Sequence, residues 1–251
     1  MSTPESAAEN APIWARPEPA GRKPRFTRDQ IAAAALHIAD TEGFDAVTMK
    51  RIAAELGSGT MTLYYYVRNK ADIVALMHDA ILADVLVPEA ELRAGWHPAT
   101  AAIARRTRKV LLAHPWSPAV LADAAFGPNA MRHMEQNLAA LAEVRLTRRE
   151  KFELIATVDA YVLGAALAAI ETFSRAAQAA LDPDAAAAAV EYGMQLLGTG
   201  EFPHLNALNE PQTADDSPWP PADEDASAEQ FERGLAALLD GLATQLKLDR
   251  N

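Results

Sequence analysis

The stretch Thr48–Lys70, TMKRIAAELGSGTMTLYYYVRNK, decides how this chain folds. Thr48 is suited to cap a helix, because its hydroxyl can accept from a free backbone N–H of the first turn. Ile52, Ala53 and Leu56 follow at helical spacing and make one apolar face. Gly57 is the residue type that ends helices in a left-handed conformation. Ser58 and Gly59 continue the turn, and Thr60 or Thr62 starts a second helix. That helix carries Thr60, Met61, Thr62, Tyr64, Tyr65 and Tyr66 outward and leaves Leu63 and Val67 to face inward. An ordinary helical hairpin with surface tyrosines is the competing reading, but three consecutive helical residues cannot all face one core. A short helix with hydroxyls and rings outside suits a DNA major groove. Lys50 and Arg51 before the turn, with Arg68 and Lys70 after it, suit phosphate contacts at the groove edges.

Upstream, Thr27 with Gln30 forms a capping-box pattern for a helix from about Arg28 to Glu42. Ile31, Ala34, Ala35 and Ile38 make its inner face, Gly43 ends it, and Phe44 and Val47 plug the small core. Three short helices bury too little to be very stable alone. They should lean on the next helix, about Lys70 to Val87, through Ile73, Leu76, Met77 and Ile81. That helix joins head to body and is the natural lever.

These residues carry a resemblance. FTRDQIAAAALHIADTEGFDAVTM followed by IAAELGSGTMTLYYYVRNKADIVALM is similar to the DNA-binding domain of the TetR (tetracycline repressor-like) family of transcriptional regulators, over about Phe26–Leu86. TLYYYVRNK resembles the family's most specific motif. The resemblance implies DNA contacts from Thr48, Lys50, Thr60, Met61, Thr62, Tyr64, Tyr65, Tyr66 and Lys70, with Lys50 and the second helix on base edges and Lys70 on phosphate.

Composition agrees with an all-α chain: half of the 251 residues are hydrophobic, alanine dominates and β-branched residues are few. No cysteine is present, so there is neither a disulfide framework nor a thiolate metal site. The formal net charge of −11 is unevenly spread. Arg16–Lys70 holds nine Lys and Arg against six Asp and Glu, a net of +3, which leaves −14 for the rest. A basic head on an acidic body confines DNA contact to the head. Residues 1–25 are polar and rich in Pro, Ala and Glu, with no apolar run after the basic residues, and read as a disordered arm rather than a signal peptide. Arg22, Lys23, Arg25 and Arg28 cluster at its end; solubility and phosphate or minor-groove contact are both open for them.

The body, 88–251, shows loop signals at 88–98, 113–118, 127–128, 145–147 and 182–183, with helical patterns between. Arg105, Arg106, Arg108 and Lys109 line the outside of one helix, as a solvated face in preference to a second DNA patch. Arg148 to about Leu181 is the longest helix, and Ala160–Ile170 within it carries no charge. A run that is apolar all round must be covered on all sides, and eleven residues are too few to cross a bilayer, so one side faces the core and the other a partner subunit. Residues 209–227, with four prolines and six acidic residues, read as a mobile linker. The final helix, about Glu229–Leu248, has Phe231, Leu235, Leu238, Leu242 and Leu246 on one stripe. Gly234 and Gly241, one heptad apart, suggest close approach of another helix backbone. GPNAMRHMEQNLAAL, GEFPHLNAL and FERGLAALLDGL resemble segments of tetracycline repressor-like C-terminal domains, the first flanking the ligand cavity and the last helping to build a four-helix dimer interface.

Together these imply a three-helix helix-turn-helix head (26–70), a connecting helix (70–87) and a helical ligand-binding and dimerisation body. The function implied is a cytoplasmic, homodimeric repressor released from a palindromic operator by a small hydrophobic effector. The alternative is a helical dimeric DNA-binding or scaffold protein without a small-molecule effector. Candidate ligand contacts are Trp96, Trp116, Phe126, Met131, His133, Met134, Tyr161, Glu171 and Phe173; candidate dimer contacts are Leu163, Leu167, Gly234, Leu238 and Gly241. The six histidines show no metal-ligand spacing, and P-loop, GxGxxG and GxSxG are absent, so neither an enzyme, a metal nor a cofactor is expected. Where founding members hold magnesium–tetracycline with a histidine and an acid, the matching positions fall near Leu121 and Ala168, which argues against that ligand.

Overall fold

The computed structural model describes residues 11–17, 25–120, 126–209 and 224–249. The described residues form helices and turns and contain no strand. Helix α1 is Arg28–Glu42, α2 Met49–Glu55, α3 Thr60–Leu63 and α4 Lys70–Val85. In the body follow α5 (Glu89–Leu92), α6 (Trp96–Ala113), α7 (Ser117–Val120), α8 (Pro128–Ala140), α9 (Arg148–Leu181), α10 (Pro183–Gly198), α11 (Pro203–Asn209) and α12 (Glu224–Leu246).

Local chemistry sets the head. Thr27 and Gln30 close a reciprocal capping box on α1, and Gly43 ends it at φ 88°, where a side chain would be strained. Thr48 Oγ accepts from the Arg51 N–H to start α2, and Asn69 accepts from the Asp72 N–H to start α4. Gly57, at φ 60°, reverses the chain between α2 and α3. Ile31, Ile38, Val47, Ile52, Leu63, Val67, Ile73 and Met77 fill one core shared by α1–α4, so α4 supplies the wall that three short helices lack.

One expectation fails at the N-terminus. The segment Pro12–Arg16 is docked, not loose. A 3-10 turn at Ile13–Ala15 puts Ile13 into the head core at 1% exposure. Arg16 pairs with Asp72 of α4, and the Arg28 guanidinium donates to the Arg16 carbonyl at 3.0 Å. Average composition conceals this, because one isoleucine and one tryptophan suffice to anchor a single turn. Arg28, for which the sequence leaves solubility and DNA contact both open, is thereby buried; Arg22 and Lys23 lie outside the described residues.

In the body, α6 and α12 pack on the inner face of α9 around Trp96, Leu154, Ile155, Val158, Val162, Phe231, Leu235 and Leu239. The α12 stripe drifts from the expected one: Leu239 and Ala243 are fully inside, while Leu238, Leu242 and Leu246 sit at the edge. Helix α12 begins at Glu224, inside the range read as linker, and 210–223 lies outside the described residues. By length and composition alone α9 could cross a membrane, but its inner face carries the body core.

Beyond Ala169 no residue of α9 is buried, and α10 buries none at all. Leu163 and Leu167 on the outer face of α9, and Leu181, Val190, Tyr192 and Met194 along this arm, are exposed. Asp159 lies on the same α9; desolvation pushes its carboxyl up to about 6, although its side chain still meets water.

Gly234 corrects a second expectation. A Cβ there would lie 2.2 Å from the Tyr161 hydroxyl oxygen. That hydroxyl donates to the Phe231 carbonyl at 2.8 Å, and the Tyr161 and Phe231 rings stack at 5.6 Å. Within the chain, the close approach that this glycine permits is that of the Tyr161 side chain rather than of a helix backbone. At Gly241 a Cβ would meet nothing within 4 Å.

Candidate nucleic-acid interface

The outer surface of α2–turn–α3 presents a compact set of side chains. Met61 and Tyr65 are 77% and 81% exposed, Tyr64 is 50% exposed, and Lys50 is exposed beside them. Thr60 and Thr62 are half-buried on the same turn, and Thr48 is exposed but spends its hydroxyl on the cap of α2. Helix α3 is a single turn, which leaves Tyr64–Tyr66 in a tight turn.

Tyr66 does not belong to this surface. The turn swings it inward to 8% exposure, where its hydroxyl oxygen accepts from the Arg25 N–H at 3.0 Å and the Phe26 N–H at 3.3 Å. Continuous helical geometry across three tyrosines implied otherwise; the helix ends after Leu63, so the phase is lost. Tyr66 closes the junction between the segment before α1 and the end of the motif.

The bases divide into occupied and exposed groups. Arg51 is gripped by Glu42, with guanidinium–carboxylate contacts from 2.6 Å, and by Glu55 at 2.8 Å. These pairs raise its pKa and hold Glu42 below the usual carboxylate range, and they make Arg51 a brace between α1 and α2. Arg25 donates to the Gly57 carbonyl at 2.8 Å. Lys70 is exposed, with its ammonium 4.4 Å from the centre of the Phe44 ring.

Of the body bases, Arg105 pairs with Glu232, Arg106 donates to the Leu86 carbonyl, and Arg108 donates to Ser227 Oγ over the Phe231 ring. They are struts between helices, so these three are neither a second DNA patch nor merely solvated.

The ligand candidates scatter. Trp96 is buried, lines a cleft of about 750 Å³ with Ala140, Val144 and Lys247, and donates its indole N–H to the Asp249 carbonyl. Trp116 sits against the head. Phe126 and Met131 point to solvent, and Tyr161 is committed to α12. Glu171 is exposed and paired with Arg175 at 3.7 Å, and Phe173 is half-buried on the outer half of α9. His133 and Met134 remain half-buried on α8. Burial lowers the pKa of His133, and the neighbouring His78 of α4 lowers it further; burial likewise lowers His78. Near-neutral imidazoles, with Gln136 and Asn137 beside them, make a polar lining between α4 and α8. Leu121 lies outside the described residues, and Ala168 lines an apolar groove of about 510 Å³ between α9 and α12.

Sequence reasoning missed the hydrogen bonds that tie lever to body. Asp79, buried in the middle of α4, accepts from the Asn129 and Ala130 N–H groups at 2.7 and 3.2 Å and so caps α8 from outside. Gly127, the residue before α8, must lack a side chain: its Cβ would lie 2.2 Å from Asp79 Oδ1 and 2.7 Å from Trp14. At the other end of α4, Gln136 of α8 accepts from the Val87 N–H at 3.0 Å and donates toward the Val85 carbonyl at 3.4 Å. Helix α8 thus grips α4 at two points. No local pattern marks Asp79; only the missing acceptor at Gly127-Pro128 hints at a cap supplied from elsewhere.

Comparison with known proteins agrees with this geometry. Residues 31–77 match the bacterial regulatory proteins of the tetR family, and residues 88–246 match the tetracyclin repressor-like C-terminal domain. An HTH-type transcriptional repressor, DrrR1 of Streptomyces coeruleorubidus, is 34% identical over 224 residues, covering 88% of this chain and 79% of that protein. The class A tetracycline repressor of transposon 1721, from Escherichia coli, is 28% identical across 88% of this chain and 92% of its own length. Among solved structures, the Streptomyces coelicolor TetR family protein ActR in complex with actinorhodin superposes with a TM-score of 0.66 at 28% identity, over 88% of this chain and 96% of ActR.

Proposed function

The chain belongs to the tetR family of bacterial regulatory proteins and is a DNA-binding transcriptional regulator, and on that premise we propose a homodimeric repressor that leaves a palindromic operator when a small hydrophobic effector enters its body. The observation that carries the reading is the double grip of α8 on α4, which makes the wall of the body and the lever of the head one mechanical unit.

Lys50, Tyr64, Tyr65 and Met61 read base edges and Lys70 meets phosphate. The two heads of a dimer then stand about 34–36 Å apart, one helical turn of DNA. The partner is a second copy laid on the outer face of α9 and on α12, with Leu163, Leu167, Leu238 and Gly241 in the contact. The exposed apolar arm of α9, α10 and α11 supports this, since a monomer would leave it in water. The effector lies against α8 near His133, Asn137 and His78; side chains that bury neutral imidazoles suit an apolar molecule with one or two polar groups. Such a regulator works in the cytoplasm, without catalysis and without a membrane.

Effector and operator must each weaken the other's binding by the same factor, about 5–150-fold for a coupling of about 1–3 kcal/mol. Actinorhodin, the compound bound to ActR, is the first probe. An operator selected from a random library should be bound by a dimer and released as the probe is added. Calorimetry of the probe with and without operator measures the reverse effect. Equal probe affinities in the two titrations would break the regulatory reading, and a monomer by light scattering at micromolar concentration would break the dimeric one.

A further inference from the structure

A column of side chains joins the body to the exposed base at the start of the lever. His114 and Trp116 form the corner between α6 and α7. The His114 imidazole Nδ1 and the Trp116 indole N–H both meet Asp40 Oδ1 of α1, at 2.8 and 2.7 Å. The Trp116 ring stacks on Phe44 of the head, with centroids 5.5 Å apart and planes inclined by 14°. The Lys70 ammonium rests 4.4 Å from the centre of that same Phe44 ring. Trp116 also packs against the cluster of Ile81, Val85 and Val110, so it touches head, lever and body at once.

Lys70 is the first residue of α4, where the positive end of the helix dipole disfavours a cation. On an exposed four-carbon stem its ammonium would otherwise sample many positions. The Phe44 face offers it one attractive location. Phe44 lies just after Gly43 in a short 3-10 turn, and its ring is held from the body side by Trp116. Asp40 fixes the Trp116 indole in the plane needed for that stack.

We infer that Trp116, a residue of the body, positions Lys70 for phosphate through the Phe44 ring, so that the α6–α7 corner sets DNA affinity directly as well as through the tilt of α4. The inference rests on Lys70 being a phosphate contact. Trp116 itself touches no DNA and is a positioning residue. A shift of the α6–α7 corner separates the stack, and Lys70 then loses its place before the heads have moved.

A double-mutant cycle on the full-length dimer tests this, with operator affinity measured as a function of salt. Lys70→Ala should lower the salt slope by about one unit. Trp116→Leu should weaken binding about two- to five-fold, the factor a partly exposed cation–π contact is worth, with the slope unchanged. Phe44→Leu should do the same, and Trp116→Phe, which keeps a ring on Phe44, should restore most of the loss. In the Lys70→Ala background, Trp116→Leu should cost nothing further. Thermal unfolding of each variant separates these effects from misfolding. An equal loss from Trp116→Leu with and without Lys70 would overturn the inference while leaving Lys70 as a contact. An unchanged slope in Lys70→Ala would remove the contact itself, and the inference with it.

Discussion

Replacing Asp79 by alanine removes the acceptor that holds the N-terminus of α8. The carboxylate stands 2.7 Å from the Asn129 nitrogen and 3.2 Å from the Ala130 nitrogen, in a site with 6% exposure. Nothing local can replace it, because Gly127 has no side chain and Pro128 no N–H. Losing an N-cap acceptor costs about 1 kcal/mol. The buried setting of the two amides that lose this acceptor, Asn129 and Ala130, places the cost within about 1–3 kcal/mol. The expected destabilisation is therefore on the order of 1–3 kcal/mol. Asp79→Asn keeps a carbonyl oxygen in the cap and loses only the charge facing the helix dipole, about 1 kcal/mol. Urea unfolding followed by circular dichroism, at one fixed protomer concentration, reads both numbers. Stability should fall in the order wild type, Asp79→Asn, Asp79→Ala, with an unchanged denaturant slope. The cap also couples lever to body, so Asp79→Ala should reduce the factor by which an effector weakens operator binding. An Asp79→Ala protein within about 0.5 kcal/mol of wild type would refute the argument, because surface changes fall in that range.

Three further outcomes follow from particular contacts. Ile13→Ala should cost about 2–5 kcal/mol by leaving a cavity in the head core, and deleting residues 1–17 should cost at least as much in the same urea experiment; an unstructured arm would cost nothing. Tyr66→Phe should lower stability by about 1 kcal/mol through the lost acceptor for Arg25 and Phe26, without altering base preference in an operator library, whereas Tyr65→Ala should do the reverse. His78 and His133 have folded pKa values below their ordinary 6.5, so the unfolded chain binds protons that the fold refuses. Their contribution is complete above that value and is lost as pH falls through it. Between about pH 7.5 and 5.5 the wild type should therefore lose stability, read from urea midpoints, relative to the double variant His78→Gln, His133→Asn, a comparison in which the opposing gain from the raised Asp159 carboxyl cancels.

Much of this protein was legible one helical turn at a time. The capping box at Thr27 and Gln30, the stop at Gly43, the cap at Thr48 and the bounds Arg28–Glu42 and Arg148–Leu181 depend on residues no more than four apart, and a linear reading contains them. The apolar stripes of α1 and α4 follow from helical period for the same reason. The charge split between head and body needed only counting.

What lay beyond the sequence was every decision made between residues far apart in the chain. Tyr66 is inside because α3 stops after one turn and the segment before α1 brings two N–H groups to its hydroxyl. Arg51, Arg105 and Arg108 are braces because packing delivers partners to them. Trp116 faces the head rather than a pocket, Gly234 accommodates Tyr161, and Asp79 caps a helix some fifty residues away. In each case the residue type limits what the side chain can do, as donor, acceptor, ring or bare backbone. Which of those capacities is used depends on what the folded chain places within about 3–4 Å, the range over which hydrogen bonds and ring contacts act. Helical period and charge count follow from the chain alone, whereas packing sets which polar groups stay exposed on the head and which are consumed in holding lever and body together.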